Sequence, residues 1–177
     1  MNLPYEYKDK CQKRLFVIFF ERATTKFYFR SLRESEIYVY VKINKDYPLT
    51  KKKYYQIGDI VFHAEPVNET GLKVVIHSDD NKKGKKNYVE HFFDIKNGYV
   101  FIGRSEICNI KLDENILSKI HCSFKYDKAK KMWLISDGNG ERPSTNGTWM
   151  FCNSKYELIE SETQAKIGKS IITIKKM

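Results

Sequence analysis

Much of this chain consists of short segments rich in β-branched and aromatic residues, separated by turn residues at regular intervals. They run from Leu72 to the end of the 177-residue chain, and Asn97-Gly98 between two of them is typical of a tight turn. Many short strands with this spacing predict an all-β sandwich. The predicted strands of this part are Leu72–His77, Val89–Ile95, Tyr99–Ile102, Cys108–Leu112, Cys122–Tyr126, Met132–Ile135, Thr148–Phe151 and Ser170–Lys175.

The first seventy residues are also strand-like and suggest an internal repeat. Residues 16–62 align loosely with residues 122–173, with Lys26–Ser31 opposite Lys131–Ser136 and Gln56–Ile60 opposite Lys166–Ser170. We therefore expect a β-rich N-terminal unit over residues 1–70 and a main domain over residues 71–177. The first unit is either a degenerate copy of the back half of the main domain or a β-rich extension that packs on it.

The net charge of +10 suits acidic partners such as phosphopeptides, nucleic acid or anionic membrane surfaces. The basic residues are spread along the chain and do not form a stripe interleaved with aromatic residues, so nucleic acid is not an expected partner. The longest strictly apolar run, Leu15–Phe20, is too short to span a bilayer. We interpret the basic residues as a lysine-rich solvated surface rather than a dedicated nucleic-acid face.

The four cysteines are scattered and form no zinc-binding pattern. They are Cys11, Cys108, Cys122 and Cys152, and none of them belongs to a C-x-x-C pair. We interpret them as reduced and mostly buried, which points to a reducing compartment, cytoplasmic or nuclear. The sequence gives no reason to expect a metal or another cofactor.

Two neighbouring segments carry side chains suited to an anion. Arg104 follows Gly103 at the end of a predicted strand, and the planar guanidinium can bind phosphate oxygens through two hydrogen bonds. Ser118 adds a loop hydroxyl and Lys119 a second cation. His121 has no partners at catalytic-triad spacing, so we interpret it as a buried ring that supports the Ser118 loop.

A third segment, Thr145-Asn146-Gly147-Thr148-Trp149, enters another predicted strand. On its own, Asn146-Gly147 indicates no more than a turn. A functional Asn146 would use its side-chain amide to hold the backbone of a bound peptide. Gly147 would supply a backbone conformation that other residues disfavour.

Together these segments form a pattern that is far more specific than its parts. Gly-Arg, Cys-x-Ile-x-Leu-Asp, Ser-x-x-His-Cys, Trp-x-Ile-x-Asp and Thr-Asn-Gly-Thr-Trp follow one another over Leu72–Lys175. The series resembles the forkhead-associated (FHA) domain family, which reads phosphothreonine. The resemblance implies a sandwich of about eleven strands whose binding loops cluster at one end.

The resemblance also implies roles for individual residues. Arg104, Ser118 and Lys119 would contact phosphate, Asn146 would hold the peptide backbone, and Thr145 would lie in the same binding group. Gly103, His121, Gly147 and Thr148 match architectural positions. Lys119 stands where the family often has Arg or Asn, and the loop over residues 137–144 is longer than usual, which leaves peptide selectivity open.

The expected function is a non-enzymatic module that binds a phosphothreonine-containing protein. The alternative is a structural FHA-fold subunit of a large assembly, with its N-terminal unit among the interfaces. Under the first hypothesis, removing residues 1–70 should leave peptide affinity intact.

Overall fold

The computed structural model describes residues 16–32, 38–80, 85–152, 155–157 and 162–175. Within these ranges the regular structure is sixteen strands and one 3₁₀ turn, Ile95–Asn97, which confirms the all-β prediction. None of the described segments is a helix with the length and apolar character needed to cross a membrane. The first eight strands are β1 (Phe16–Glu21), β2 (Lys26–Ser31), β3 (Val39–Lys42), β4 (Tyr47–Leu49), β5 (Lys53–Ile57), β6 (Ile60–Val67), β7 (Gly71–Asp80) and β8 (Lys85–Phe93). The other eight are β9 (Tyr99–Gly103), β10 (Ile110–Lys111), β11 (Cys122–Asp127), β12 (Met132–Asp137), β13 (Thr148–Phe151), β14 (Lys155–Glu157), β15 (Glu162–Ile167) and β16 (Ser170–Lys175).

The chain divides into two compact units, but the division differs from the one expected at residue 70. Residues 40–151 form one unit, here called the central unit, and residues 1–39 with 152–177 form the other, the terminal unit. The expected boundary lies inside the β6–β7 hairpin, where Val67 pairs with Gly71. Strands β4, β5 and β6 therefore belong to the central unit, because β4 pairs with β12 and β5 pairs with β13.

The central unit contains two facing groups of strands. One is a five-stranded sheet in the order β10-β9-β11-β12-β4, and the other has six strands in the order β3-β13-β5-β6-β7-β8. Phe62 of β6 meets Phe124 of β11 edge to face, with ring centroids 6.4 Å apart, so side chains from both groups meet in one core. Tyr55, Phe62, Phe124 and Trp133 are fully or almost fully buried there. Burying aromatic side chains of this size supplies much of the free energy of folding.

The segment Asn97-Gly98 is not the hairpin turn that its sequence suggests. Strands β8 and β9, on either side of it, lie in different sheets. The segment ends a 3₁₀ turn instead, with the Asp94 side chain accepting from the Lys96 amide and the Asn97 side chain accepting from the Asp94 amide. Gly98 has a φ of 66°, so the residue type still fits a left-handed position.

The terminal unit contains the three-stranded sheet β1-β2-β14 and the hairpin β15–β16. Phe29 of β2 is fully buried and stacks on Phe16 of β1 with centroids 5.1 Å apart. Ile18, Phe20 and Phe27 are between 42% and 49% exposed. The β1–β2 hairpin therefore buries one part of its aromatic surface and leaves another part accessible.

The β1–β2 hairpin has the same geometry as the β11–β12 hairpin of the central unit. Each has six paired positions and a four-residue loop, with Phe16 opposite Ser31 and Cys122 opposite Asp137. The last loop residue has a positive φ in both, 54° at Thr25 and 51° at Lys131. Thr25 therefore corresponds to Lys131, one residue away from the alignment expected from the sequence.

Candidate phosphopeptide site

Gly103 ends β9 at a point where two backbone segments touch. A side-chain carbon at Gly103 would collide with the Lys119 carbonyl oxygen and would lie 2.9 Å from the Ser118 carbonyl oxygen and from the His121 nitrogen. Only glycine permits this approach. As a result, the Arg104 amide donates to the Ser118 carbonyl at 3.2 Å, and the Ser105 amide donates to the Lys119 carbonyl at 3.1 Å.

Arg104 itself is exposed beside this contact. Among the described residues no carboxylate forms an ion pair with it, and none forms one with Lys119, which is also exposed. The nearby carboxylates of Glu106 and Asp113 instead pair with Lys111, at 2.7 and 3.0 Å. Arg104 and Lys119 therefore both remain able to bind an external anion.

His121 holds the Ser118 loop in shape. The ring is fully buried, its Nδ1 accepts from the Ser118 amide at 3.1 Å, and its Nε2 lies 3.1 Å from the Gly147 carbonyl oxygen. Because Nδ1 accepts a hydrogen bond, the proton must lie on Nε2, which donates to Gly147. Burial lowers the pKa of His121, although the Gly147 carbonyl and Asp137 act in the opposite direction, so the neutral ring is favoured.

The third segment joins the same cluster through Ser118. The Ser118 hydroxyl oxygen accepts from the Thr145 amide at 3.0 Å, and the hydroxyl points toward the Thr145 hydroxyl at 3.4 Å. This second contact is long, so the hydroxyl proton can turn toward a stronger acceptor such as a phosphate oxygen. Ser118 therefore connects the two loops and keeps a donor for a ligand.

Asn146 lies beside Thr145 and is exposed. The side-chain Nδ2 of Asn146 donates to the Ile116 carbonyl at 2.9 Å. The backbone carbonyl of Asn146 accepts from the Trp149 indole, also at 2.9 Å. The Nδ2 bond fixes the orientation of the amide and leaves Oδ1 to accept from another N–H group. Gly147 follows with a φ of 78°, and a side chain there would meet the stem of Lys42 at 2.7 Å.

Asp137 and Ser144 organise the turn before Gly147, a role that the sequence analysis did not assign to them. The Asp137 carboxylate accepts from the hydroxyls of Ser144 and Thr148 at 2.7 and 2.8 Å and from the Ser144 amide at 3.1 Å. The Ser144 hydroxyl in turn accepts from the Gly147 amide at 2.9 Å. Asp137 was the last residue of the Trp-x-Ile-x-Asp pattern, and that spacing was the available signal.

The structure thus brings together all nine residues singled out from the sequence. Gly103, His121, Gly147 and Thr148 form the buried support, while Arg104, Lys119, Thr145 and Asn146 are exposed around the half-buried Ser118. Glu141 and Arg142 lie in a separate exposed turn in which Asn139 Oδ1 accepts from both of their amides. The contacts of the described residues do not tie that turn to Ser118.

The cysteines within the described residues, Cys108, Cys122 and Cys152, are free thiols and buried. Burial raises the pKa of the Cys108 and Cys122 thiols, so neither is a ready nucleophile. Cys11 lies outside the described residues. The described residues also hold no group of three or more side chains suited to a metal ion.

Comparison with known proteins agrees with the resemblance seen in the sequence. Residues 100–171, which are 72 of the 177, match the family model of the FHA domain. This match confirms the resemblance and the FHA-like β-sandwich predicted with it. Neither the curated proteins nor the solved structures gave a match to the chain.

FHA domains are interaction modules rather than enzymes, and they generally mediate protein–protein interactions that depend on phosphopeptides. The matched segment contains all nine residues described above. It begins at Val100, later than the predicted start at Leu72, and extends into β16.

Proposed function

We propose that the central unit binds a phosphothreonine peptide at the loops around Ser118. The observation that supports this most strongly is the joint placement of Arg104 and Lys119, which form no ion pair with any described residue, beside a Ser118 loop held by Gly103 and His121. A phosphothreonine carries a charge near −2 and three strong acceptor oxygens. The Ser118 loop is already held in place by hydrogen bonds, so its hydroxyl can recognise such a group without a large change of structure.

In this proposal each exposed residue has a distinct role. Arg104 binds two phosphate oxygens, Lys119 adds a point charge, and Ser118 donates its hydroxyl proton. Asn146 Oδ1 accepts from a backbone N–H of the peptide, and Thr145 lines the same edge. The buried thiols and the absence of a catalytic constellation in the sequence fit a non-enzymatic partner-recruiting role inside the cell.

The test is isothermal calorimetry with threonine-phosphorylated peptides selected from a library, using the full chain. We expect Arg104→Ala to weaken binding at least about tenfold, or about 1.4 kcal/mol, because one charge-assisted pair is lost. Its melting temperature should hardly change, since Arg104 is exposed and has no ion pair to a described residue.

Lys128→Ala is the matched control. Lys128 is also an exposed cation, but it follows the far end of β11 from the Ser118 loop. Lys128→Ala changes the net charge by the same amount as Arg104→Ala. It should alter the affinity for the phosphopeptide less than about twofold in moderate salt. Equal affinity of Arg104→Ala and wild type, or tight binding of the unphosphorylated peptide, would contradict the proposed site.

A second candidate is the structural role in an assembly. Strand β8 ends its sheet and exposes Tyr88, Val89 and Phe92 by 63%, 55% and 63%. An apolar edge strand of this kind is suited to pairing with another chain. The calorimetric experiment separates the two candidates, since a folded protein that binds no phosphopeptide would leave the assembly role as the better supported one.

A further inference from the structure

Two turns of the chain have the same local geometry. The β5–β6 turn has Ile57 opposite Ile60 with Gly58 at a φ of 55°. The β15–β16 turn has Ile167 opposite Ser170 with Gly168 at a φ of 58°. Only Gly168 lies within the segment that matches the FHA family model, residues 100–171. From sequence similarity alone, the β15–β16 turn would be taken as part of the binding domain.

The surroundings of the two glycines differ completely. A side-chain carbon at Gly58 would lie 2.8 Å from Cγ2 of Ile116 and 3.4 Å from Cδ2 of Leu117. A side-chain carbon at Gly168 would meet no described atom within 4 Å. The β5–β6 turn thus lies close against Ile116 and Leu117, while no described residue lies close to Gly168.

The segment over residues 116–118 carries two features of the candidate site. It ends in Ser118, and the Ile116 carbonyl accepts the hydrogen bond from Asn146 Nδ2 at 2.9 Å. Leu117 between them is only 2% exposed. A movement of Ile116 away from the turn would therefore displace both the Ser118 hydroxyl and the partner that orients Asn146.

The turn is in addition fixed to the strand that follows Asn146 and Gly147. Ile57, directly before Gly58, pairs with Thr148, the first residue of β13. The Thr148 hydroxyl donates to Asp137, within the network that holds the Gly147 turn. Strand β13 thus positions both the turn that contains Asn146 and the β5–β6 turn. Ile116 lies close to both turns.

We propose that the β5–β6 turn, with Gly58 as a positioning residue, holds the Ile116–Ser118 segment in the conformation that binds a phosphopeptide. The inference rests on the proposed function for its binding consequence but not for its structural one. The peptide site is then completed by a turn that precedes the family-matched segment.

The experiment compares Gly58→Ala with Gly168→Ala in the full chain. Both substitutions place alanine at the same positive φ, so the backbone strain is matched, and only the first also meets a neighbour. We expect Gly58→Ala to weaken phosphothreonine-peptide affinity about tenfold and Gly168→Ala by less than about twofold. In NMR spectra without peptide, Gly58→Ala should shift the side-chain amide signals of Asn146, and Gly168→Ala should not.

A compensating substitution at Ile116 distinguishes the effect of the steric contact from that of the backbone strain at position 58. Ile116 is 46% exposed, so Ile116→Ala should be tolerated, and it removes the Cγ2 atom that a side chain at position 58 would strike. The double variant Gly58→Ala/Ile116→Ala should recover most of the affinity lost by Gly58→Ala. If Gly58→Ala alone does not fold, the double variant should fold, and a double variant that stays unfolded would count against the inference.

The outcomes distinguish the inference from the proposed function. If wild type binds phosphopeptide and both glycine variants bind equally with unchanged Asn146 signals, the inference is overturned while the proposed function stands. If wild type binds no phosphopeptide, the proposed function fails, and the Asn146 signals still decide whether the turn positions the loop.

Discussion

The hairpins β1–β2 and β11–β12 share length, pairing register and a positive φ at the last loop residue, yet only the second leads to a candidate binding site. The terminal unit has one glycine, Gly168, and no histidine, whereas the central unit has eight glycines and all four histidines. The site depends on these residue types, because Gly103 allows two backbones to touch and His121 bridges two loops. The same hairpin geometry therefore occurs both with and without a candidate binding site beside it. The residues of the neighbouring loops determine which of the two is found.

The two hairpins also differ in what they bury. Phe27 and Trp133 occupy corresponding positions, but Phe27 is 43% exposed and Trp133 only 1%. Trp133 pairs with Leu49 of β4, and its indole donates to the Thr70 carbonyl at 3.0 Å. Two of the partners of Trp133, Leu49 and Thr70, thus lie in the first seventy residues, so that part of the chain is not dispensable for the central unit.

The variant with the largest expected effect tests whether the central unit depends on the first seventy residues. Phe62→Ala should lower the free energy of unfolding by about 3–5 kcal/mol, because a fully buried ring that packs on Tyr55 and Phe124 is lost. Ile172 occupies the corresponding place in β16 and is only half-buried, so Ile172→Ala should cost about 1 kcal/mol. Denaturant unfolding followed by hydrogen exchange measures both effects.

Hydrogen exchange also shows which amides lose protection in the variant. In Phe62→Ala the amides of the Ser118 loop should lose protection, and phosphopeptide binding should fall with them. Unchanged protection of that loop would mean that β6 does not support the site, in agreement with the original expectation that residues 1–70 can be removed without loss of binding.

The uneven distribution of histidines gives a second test, through pH. Burial is the main cause that lowers the pKa of His63, to about 4, and it also lowers the pKa values of His91 and His121. The unfolded chain, with histidine pKa values near 6.5, therefore takes up protons first as the pH falls. The central unit should lose stability between about pH 6.5 and pH 4, and these groups should have no effect above that range.

The terminal unit should not share this acid sensitivity, since it contains no histidine. Amide exchange at pH 7 and pH 5, corrected for the intrinsic rate, should show the loss only in residues 40–151. His63→Gln should reduce the loss. Equal acid destabilisation of both units would show that carboxylates rather than histidines control it.

The smallest expected effect concerns the shared turn. Thr25→Gly and Lys131→Gly each remove a side chain from a positive-φ position, while each also increases the entropy of the unfolded chain. The free energy of unfolding should therefore change by only about 0.5 kcal/mol, and by a similar amount in both hairpins. The shift in the denaturation midpoint measures this change. A clear gain in one hairpin and a loss in the other would show that the two turns are not equivalent.

Local sequence patterns were enough to predict the strand-rich fold, the FHA resemblance and the residues gathered around Ser118. These follow from local patterns, since alternating apolar residues specify strands and the Gly-Arg, Ser-x-x-His and Asn-Gly-Thr segments each specify a local geometry. The same patterns gave the strand segments of the first seventy residues, because Phe27, Tyr55 and Phe62 have the residue types and turn neighbours of strands.

The pairing of the strands, by contrast, could not be predicted from these local patterns. The turns at Gly58 and Gly168 are nearly identical locally, so nothing in their sequences shows that the first lies close to Ile116 while the second has no described residue close to it. Strand pairing between distant segments depends on which arrangement buries more apolar surface, and that quantity belongs to the whole packed unit. For this reason the boundary expected at residue 70 fell inside a hairpin, and the support of the Ser118 loop by β5 and β6 became visible only in the folded chain.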